Sequence, residues 1–211
     1  VSDGIGLPPD PATIAPALDP TLATEFGSAT AFLYTGADPI QTGVAPGTID
    51  ANRAAVIRGR LLDKSNNPLP GATVRIRHHA EFGQTLTRAD GRFDLAVNGG
   101  GPLTLDYIKP GYLPAQRQVV ARWQDYALVD DTILIPEDAK VSTIDLADGT
   151  PPFHVAQGSP VTDPDGTRQV TLLIRQGTQA GVYNPDGSKR PVATRTLRFP
   201  ANRVGANKPA T

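Results

Sequence analysis

Glycine and proline break this chain so often that no long helix can form. The 211 residues hold 21 of each, and they fall at short intervals, as expected where many brief strands are punctuated by turns. No stretch sustains a helical apolar period, whereas several stretches alternate apolar and polar residues. The expected fold class is all-β. The length permits a real core, in one larger domain or two small ones, and two small ones fit the punctuation better.

Charge and composition remove several function classes. Twenty Lys plus Arg face 21 Asp plus Glu, so there is no net field for gripping phosphate backbones, and nucleic acid is not an expected partner. No apolar run is long enough to span a bilayer and no basic-then-apolar leader opens the chain, so membrane insertion is not expected. Cysteine is absent, which excludes a disulfide framework and thiol catalysis and leaves the compartment open. The chain begins at Val1 and contains no Met, as expected of a processed product or an excised piece.

Three regions follow from the punctuation. Residues 1–50 read as a Pro/Gly-rich extended arm with one strand, Ala31 to Thr35, between Gly27 and Gly36. Its Phe32, Leu33 and Tyr34 are costly to leave in water, so this strand is expected to dock on a sandwich edge, in its own chain rather than in a second copy. Residues 56–136 hold seven expected strands. In "RFDLAV", Phe93, Leu95 and Val97 alternate with Arg92, Asp94 and Ala96, which marks Phe93 as the leading core residue; Leu103, Leu105 and Tyr107 point inward in the next strand. Residues 140–211 form a second β-rich unit, which need not be complete. There "VSTIDL" and "TRQVTLLI" read as strands, the latter with Val170, Leu172 and Ile174 on one face, and "GVYNPDGSKRPV" as a hairpin.

"RIRHHAEFG", Arg75 to Gly83, raises the question of a metal. Strand parity puts His78 on the Val74 and Ile76 face and His79 with the arginines, so the two rings diverge. Glu81 beside two arginines does not complete a cation site, and no metal ligands are assigned. Asp163, Asp165 and Gly166 have the opening of a calcium loop, but Pro164 intervenes and no bidentate Glu follows; a plain turn is the expectation. Catalysis lacks its parts: the three histidines sit at a strand end or in the "PPFHVAQG" loop, without a nucleophile elbow, and "NGGGP" lacks the Lys and helix of a phosphate loop. No catalytic or cofactor-binding residue is assigned, no cofactor is expected, and the chain is read as a non-enzyme.

"IRGRLLDKSNNPLPGATVRIR", "TRADGRFDLAV" and "GPLTLDYIKPGYLP" resemble the carboxypeptidase regulatory-like, or transthyretin-like, seven-stranded β-sandwich. "AFLYTGADPIQTGVAPGTI" before it and "DPDGTRQVTLLIRQGTQAGVYNPDG" after it resemble the region ahead of the repeats in bacterial Rhs, or YD-repeat, proteins related to teneurins. That resemblance implies a secreted or cell-surface bacterial module whose second β unit is plug-like, bracing or capping a YD-repeat shell. Its partner would be the rest of a larger chain, or copies of itself. Two other classes stay open: a fibre subunit assembled by strand addition of the arm, and a carbohydrate-binding sandwich with Trp123 and Tyr126 as an exposed aromatic platform for a glycan.

Overall fold

The computed structural model describes residues 6–184, 186–192 and 194–200. Two compact units divide at Leu134 and Ile135.

The first unit opens with α1 (Pro11–Ile14), α2 (Phe26–Thr30) and a 3-10 turn (Ala31–Leu33). Its strands are β1 (Gln41–Thr42), β2 (Ala54–Leu62), β3 (Thr73–Ile76), β4 (Gln84–Leu86) and β5 (Arg92–Asn98), then β6 (Gly101–Ile108), β7 (Ala115–Ala121), β8 (Asp125–Leu128) and β9 (Thr132–Ile133). One sheet has the order β1-β4-β3-β6-β7; the other is β5-β2-β8, with β9 also against β2. β2 is antiparallel to β5 and parallel to β8 and β9. All-β is therefore the observed class. β8 was not foreseen, because "DYAL" shows little alternation.

The core lies between the two sheets. Ile57 and Leu61 from β2, Phe93 and Leu95 from β5, Val74 and Ile76 from β3, and Leu105 and Tyr107 from β6 are all but fully buried. Phe93 meets Tyr107 edge to face, with centroids 5.8 Å apart. Burial pushes the Tyr107 phenol up to about 12, so this ring stays neutral at any physiological pH. Behind Phe93 the backbone comes close: a Cβ on Gly59 would lie 2.8 Å from the ring.

Asp90-Gly91 does not close a flat hairpin. β4 belongs to the large sheet and β5 to the small one, so the turn carries the chain across the core. Gly91 has φ +77 and would place a Cβ 2.4 Å from the Leu61 carbonyl; only glycine suits both demands.

The small sheet is buried on its outer face too, which the alternation of "RFDLAV" did not announce. Val56 and Ala96 there are fully buried against Leu33 and Ile40, with Phe26, Phe32, Tyr34 and Ile49 around them. The expected strand at Ala31 to Thr35 is absent. The segment turns helically, and Thr30 and Thr35 hydroxyls donate back to the Phe26 and Ala31 carbonyls. Phe26, Thr30 and Leu33 stand at i, i+4 and i+7, a helical spacing that presents one face to the sheet. A Cβ on Gly27 would sit 2.6 Å from the Ala51 carbonyl, so the helix lies nearly on the backbone. The segment thus docks on a sheet face rather than an edge.

The second unit consists of antiparallel ribbons. β10 (Glu137–Asp145) pairs with β17 (Thr194–Pro200), and β11 (Phe153–Gln157) with β14 (Thr171–Arg175). β12 (Val161–Asp163) pairs with β13 (Gly166–Arg168), and β15 (Ala180–Tyr183) with β16 (Lys189–Val192). "TRQVTLLI" is broken at Gln169 and Val170, whose side-chain amide and carbonyl respectively bond Gly158; a single strand could not serve both ribbons. Around the Asn184 to Gly187 bend, Asn184 N donates to Ser188 O at 2.8 Å, and Gly187 takes φ +83.

Candidate functional site

Gln41 fixes the N-terminal segment to the first unit. Its backbone continues the large sheet beside Thr85, while its fully buried side chain turns to the small one. The amide nitrogen donates to the carbonyl of Phe82, in the turn ahead of β4 (2.6 Å), and to that of Ala96 in β5 (2.8 Å), and the amide oxygen accepts from Ala96 N at 2.6 Å. One side chain therefore acts as a short piece of strand and pins the segment to both sheets. Asn98 adds a second tie, donating to the Thr48 carbonyl and accepting from Asp50 N.

Beside that cover, the outer face of the small sheet becomes charged. Asp94, only 3% exposed in its side chain, accepts from Arg58 through one oxygen and from Arg88 through the other. Arg58 also lies over the Tyr126 ring, 4.2 Å from its centroid, and Phe26 meets the same ring edge-on at 5.0 Å. A buried carboxylate held by two guanidinium groups is a polar site that strand alternation alone did not reveal; Asp94 opposite Arg58 in the β2–β5 register was its one legible sign.

Trp123 and Tyr126, the expected aromatic platform, are both exposed and each is held by contacts of its own. Trp123 is 58% exposed, but its indole nitrogen donates to the Gly99 carbonyl at 2.9 Å, covering the β5–β6 turn. A Cβ on Gly100 would stand 2.5 Å from that nitrogen, and one on Gly99 2.6 Å from the Arg122 carbonyl, which explains two of the three glycines of "NGGGP". Tyr126 is engaged by Phe26 and Arg58. Of the expected docking residues, Leu33 is buried, and Phe32 and Tyr34 are partly buried beside it.

The histidines do not follow the expected parity. β3 ends at Ile76, and His78 takes φ +63 and lies exposed instead of joining the Val74 face. His79 pairs with Glu81 at 2.8 Å and stacks on Phe82, centroids 5.6 Å apart. That contact holds the Glu81 carboxyl below its ordinary range, chiefly through the histidine hydrogen bond. His154 is buried in β11. Among the described residues no three His, Cys, Asp or Glu gather as metal ligands. Asp163 and Gly166 pair across the β12–β13 turn; the Asp163 side chain lies outside the described residues.

In the second unit the apolar side chains face out. Phe153 and Val155 of β11 and Leu173 of β14 share one face and are each at least half exposed. Val141, Val170, Leu172, Val182 and Tyr183 are exposed as well, whereas Ile144 and Ala156 are the buried hydrophobic residues of this unit among those described. Polar ties hold the ribbons: Ser142 Oγ bonds both the N–H and the carbonyl of Gln157, and Asp138 accepts from Lys140 N, Ser159 N and Ser159 Oγ. The Ser159 hydroxyl, then the two backbone groups, depress the Asp138 carboxyl.

Two sheets enclosing one core, with a tyrosine and a phenylalanine at its centre, define a transthyretin-like β-sandwich. Residues 49–134 match the model of the Teneurin TTR-like domain. Mouse (Mus musculus) Teneurin-3 is 34% identical over 123 residues, covering 57% of this chain and 4% of that protein. Danio rerio Teneurin-3 is 32% identical over 160 residues, covering 73% of this chain and 6% of its own length. The chain thus spans a small fraction of these relatives. Among solved structures, hydroxyquinol 1,2-dioxygenase from Pseudomonas putida DLL-E4 aligns with a TM-score of 0.33 at 11% identity, over 44% of this chain and 58% of that one; so loose a likeness says nothing of activity.

Proposed function

We propose that this chain is a non-enzymatic structural module of an exported cell-surface protein, which braces or caps a larger YD-repeat-type assembly. The observation that carries the reading is the second unit: a set of two-stranded ribbons in which Phe153, Val155 and Leu173 share one solvent-exposed face. Such ribbons are marginal alone, and a contiguous apolar face is an interaction surface. Similarity to teneurins, proteins of which this chain covers only a few per cent, supports a module working inside something much larger. A bacterial source rests on the sequence resemblance alone. Among the described residues no helix is long and apolar enough to cross a membrane.

The fibre reading needs a free strand in residues 1–50, and here that segment is packed on its own chain through Leu33 and Gln41. The glycan reading needs open ring faces, and Tyr126 is already occupied. The test is size-exclusion chromatography with light scattering, mixing the chain with a purified YD-repeat shell that lacks this module. Co-elution is expected, and is lost when Val155 and Leu173 are both changed to Asp. Separate elution of the unmodified pair contradicts the proposal.

A further inference from the structure

The cover formed by residues 26–42 leaves part of the small sheet's outer face open. That part is charged, and it floors a groove of about 750 Å³. Arg58 and Arg60 of β2, Arg92 and Asp94 of β5, and Tyr126 and Leu128 of β8 line it, and α1 with the residues after it supplies more of the lining.

Two features make this more than a salt-bridged surface. Asp94 satisfies two guanidinium groups at once, so the trio Arg58, Asp94 and Arg88 keeps one full positive charge. Arg88 is 90% buried in its side chain, and its Nε has no hydrogen-bond partner among the described residues; an Asp90 carboxylate oxygen stands 3.7 Å away. A buried donor without an acceptor is costly, and an incoming carboxylate would relieve it. Arg60 and Arg92 add two more cations, with Asp90 beside Arg92 at 3.8 Å. Asp10 and Asp131 also line the groove, so its lining holds four guanidinium groups against three carboxylates.

The remaining lining is apolar. Leu128 is 76% exposed and Leu18 60% exposed, near Phe32 and Pro11. The volume falls within the roughly 300 to 1,000 Å³ of ligand-sized pockets. β8 ends its sheet, so its backbone edge is open to an extended segment.

From this complementarity we infer that the groove binds a short extended acidic peptide, with a carboxylate on Arg58 and Arg88 and a neighbouring apolar side chain against Leu128. The geometry favours a peptide over a small inorganic anion, because an isolated anion uses neither the apolar lining nor the strand edge.

The test is a ¹⁵N NMR titration of the whole chain with the peptide acetyl-Leu-Glu-Leu-Glu-Leu-amide. Its Leu-Gln-Leu-Gln-Leu counterpart and sodium sulfate are run beside it. Expected are shifts centred on residues 58–60, 92–94 and 126–128, with affinity about tenfold weaker for the glutamine peptide and for Arg58→Gln. Arg58 is 44% exposed in its side chain, so this variant should stay folded, which a melt verifies. Arg75→Gln, on the other sheet, should bind as the unmodified chain does. Equal affinity for both peptides, shifts confined elsewhere, no shifts at millimolar peptide, or sulfate binding as tightly as the acidic peptide would each overturn the inference.

Discussion

Phe93 and Gln41 show two different ways in which one residue holds this protein. Phe93 fills the space between the sheets, and Phe93→Ala is expected to cost about 3 to 5 kcal/mol in urea denaturation. Gln41→Leu keeps most of the volume but strands Ala96 N, Ala96 O and the Phe82 carbonyl; a loss of at least about 2 kcal/mol is expected from the same measurement. His79→Ala removes a half-exposed pair and a stacking contact, and should cost less than about 1 kcal/mol. Asp138 sets a pH dependence. Its folded carboxyl is depressed, so its contribution is complete above an unfolded value of about 4 and is lost as pH falls through the lower folded value. Asp138→Asn should flatten that acid limb in a pH series of melts. Phe93 was legible because alternation names core residues. Gln41 was not, because its partners lie 41 and 55 positions away and nothing local marks a glutamine as a clamp.

The N-terminal segment is the element whose form was misread and whose attachment matters most. Apolar Phe32, Leu33 and Tyr34 in a row suggested a strand, but the helical spacing of Phe26, Thr30 and Leu33 set the local structure. The sheet face beneath, Val56 and Ala96, needed a cover rather than another strand. The family-matched stretch begins at residue 49, after that cover. A chain starting at Ile49 is therefore expected to melt lower and to self-associate, having exposed Val56 and Ala96 and orphaned the Ala96 backbone. A chain starting at Glu25 retains the cover and should melt close to the full one. If both truncations melt alike, residues 26–42 are dispensable and the layered account fails. The strands between them were readable from turn chemistry, as at Asp90-Gly91, yet which sheet each joined was not: β4 and β5 are neighbours in sequence and lie in different sheets.

The molecule joins a unit that closes on its own core to one that does not. Alternation in "VSTIDL" and "TRQVTLLI" showed that the second unit is β, but not that its apolar face would be left in water, since sequence parity cannot say what lies opposite. If the first unit is complete and the second depends on a partner surface, their local stabilities must differ widely. Amide hydrogen exchange on the 211-residue chain measures this directly. The expectation is strong protection in β2, β3, β5 and β6 and at Ala96, where Gln41 binds, with protection in β11, β14, β15 and β16 lower by orders of magnitude. Protection in those ribbons equal to that of β2 and β5 would contradict it.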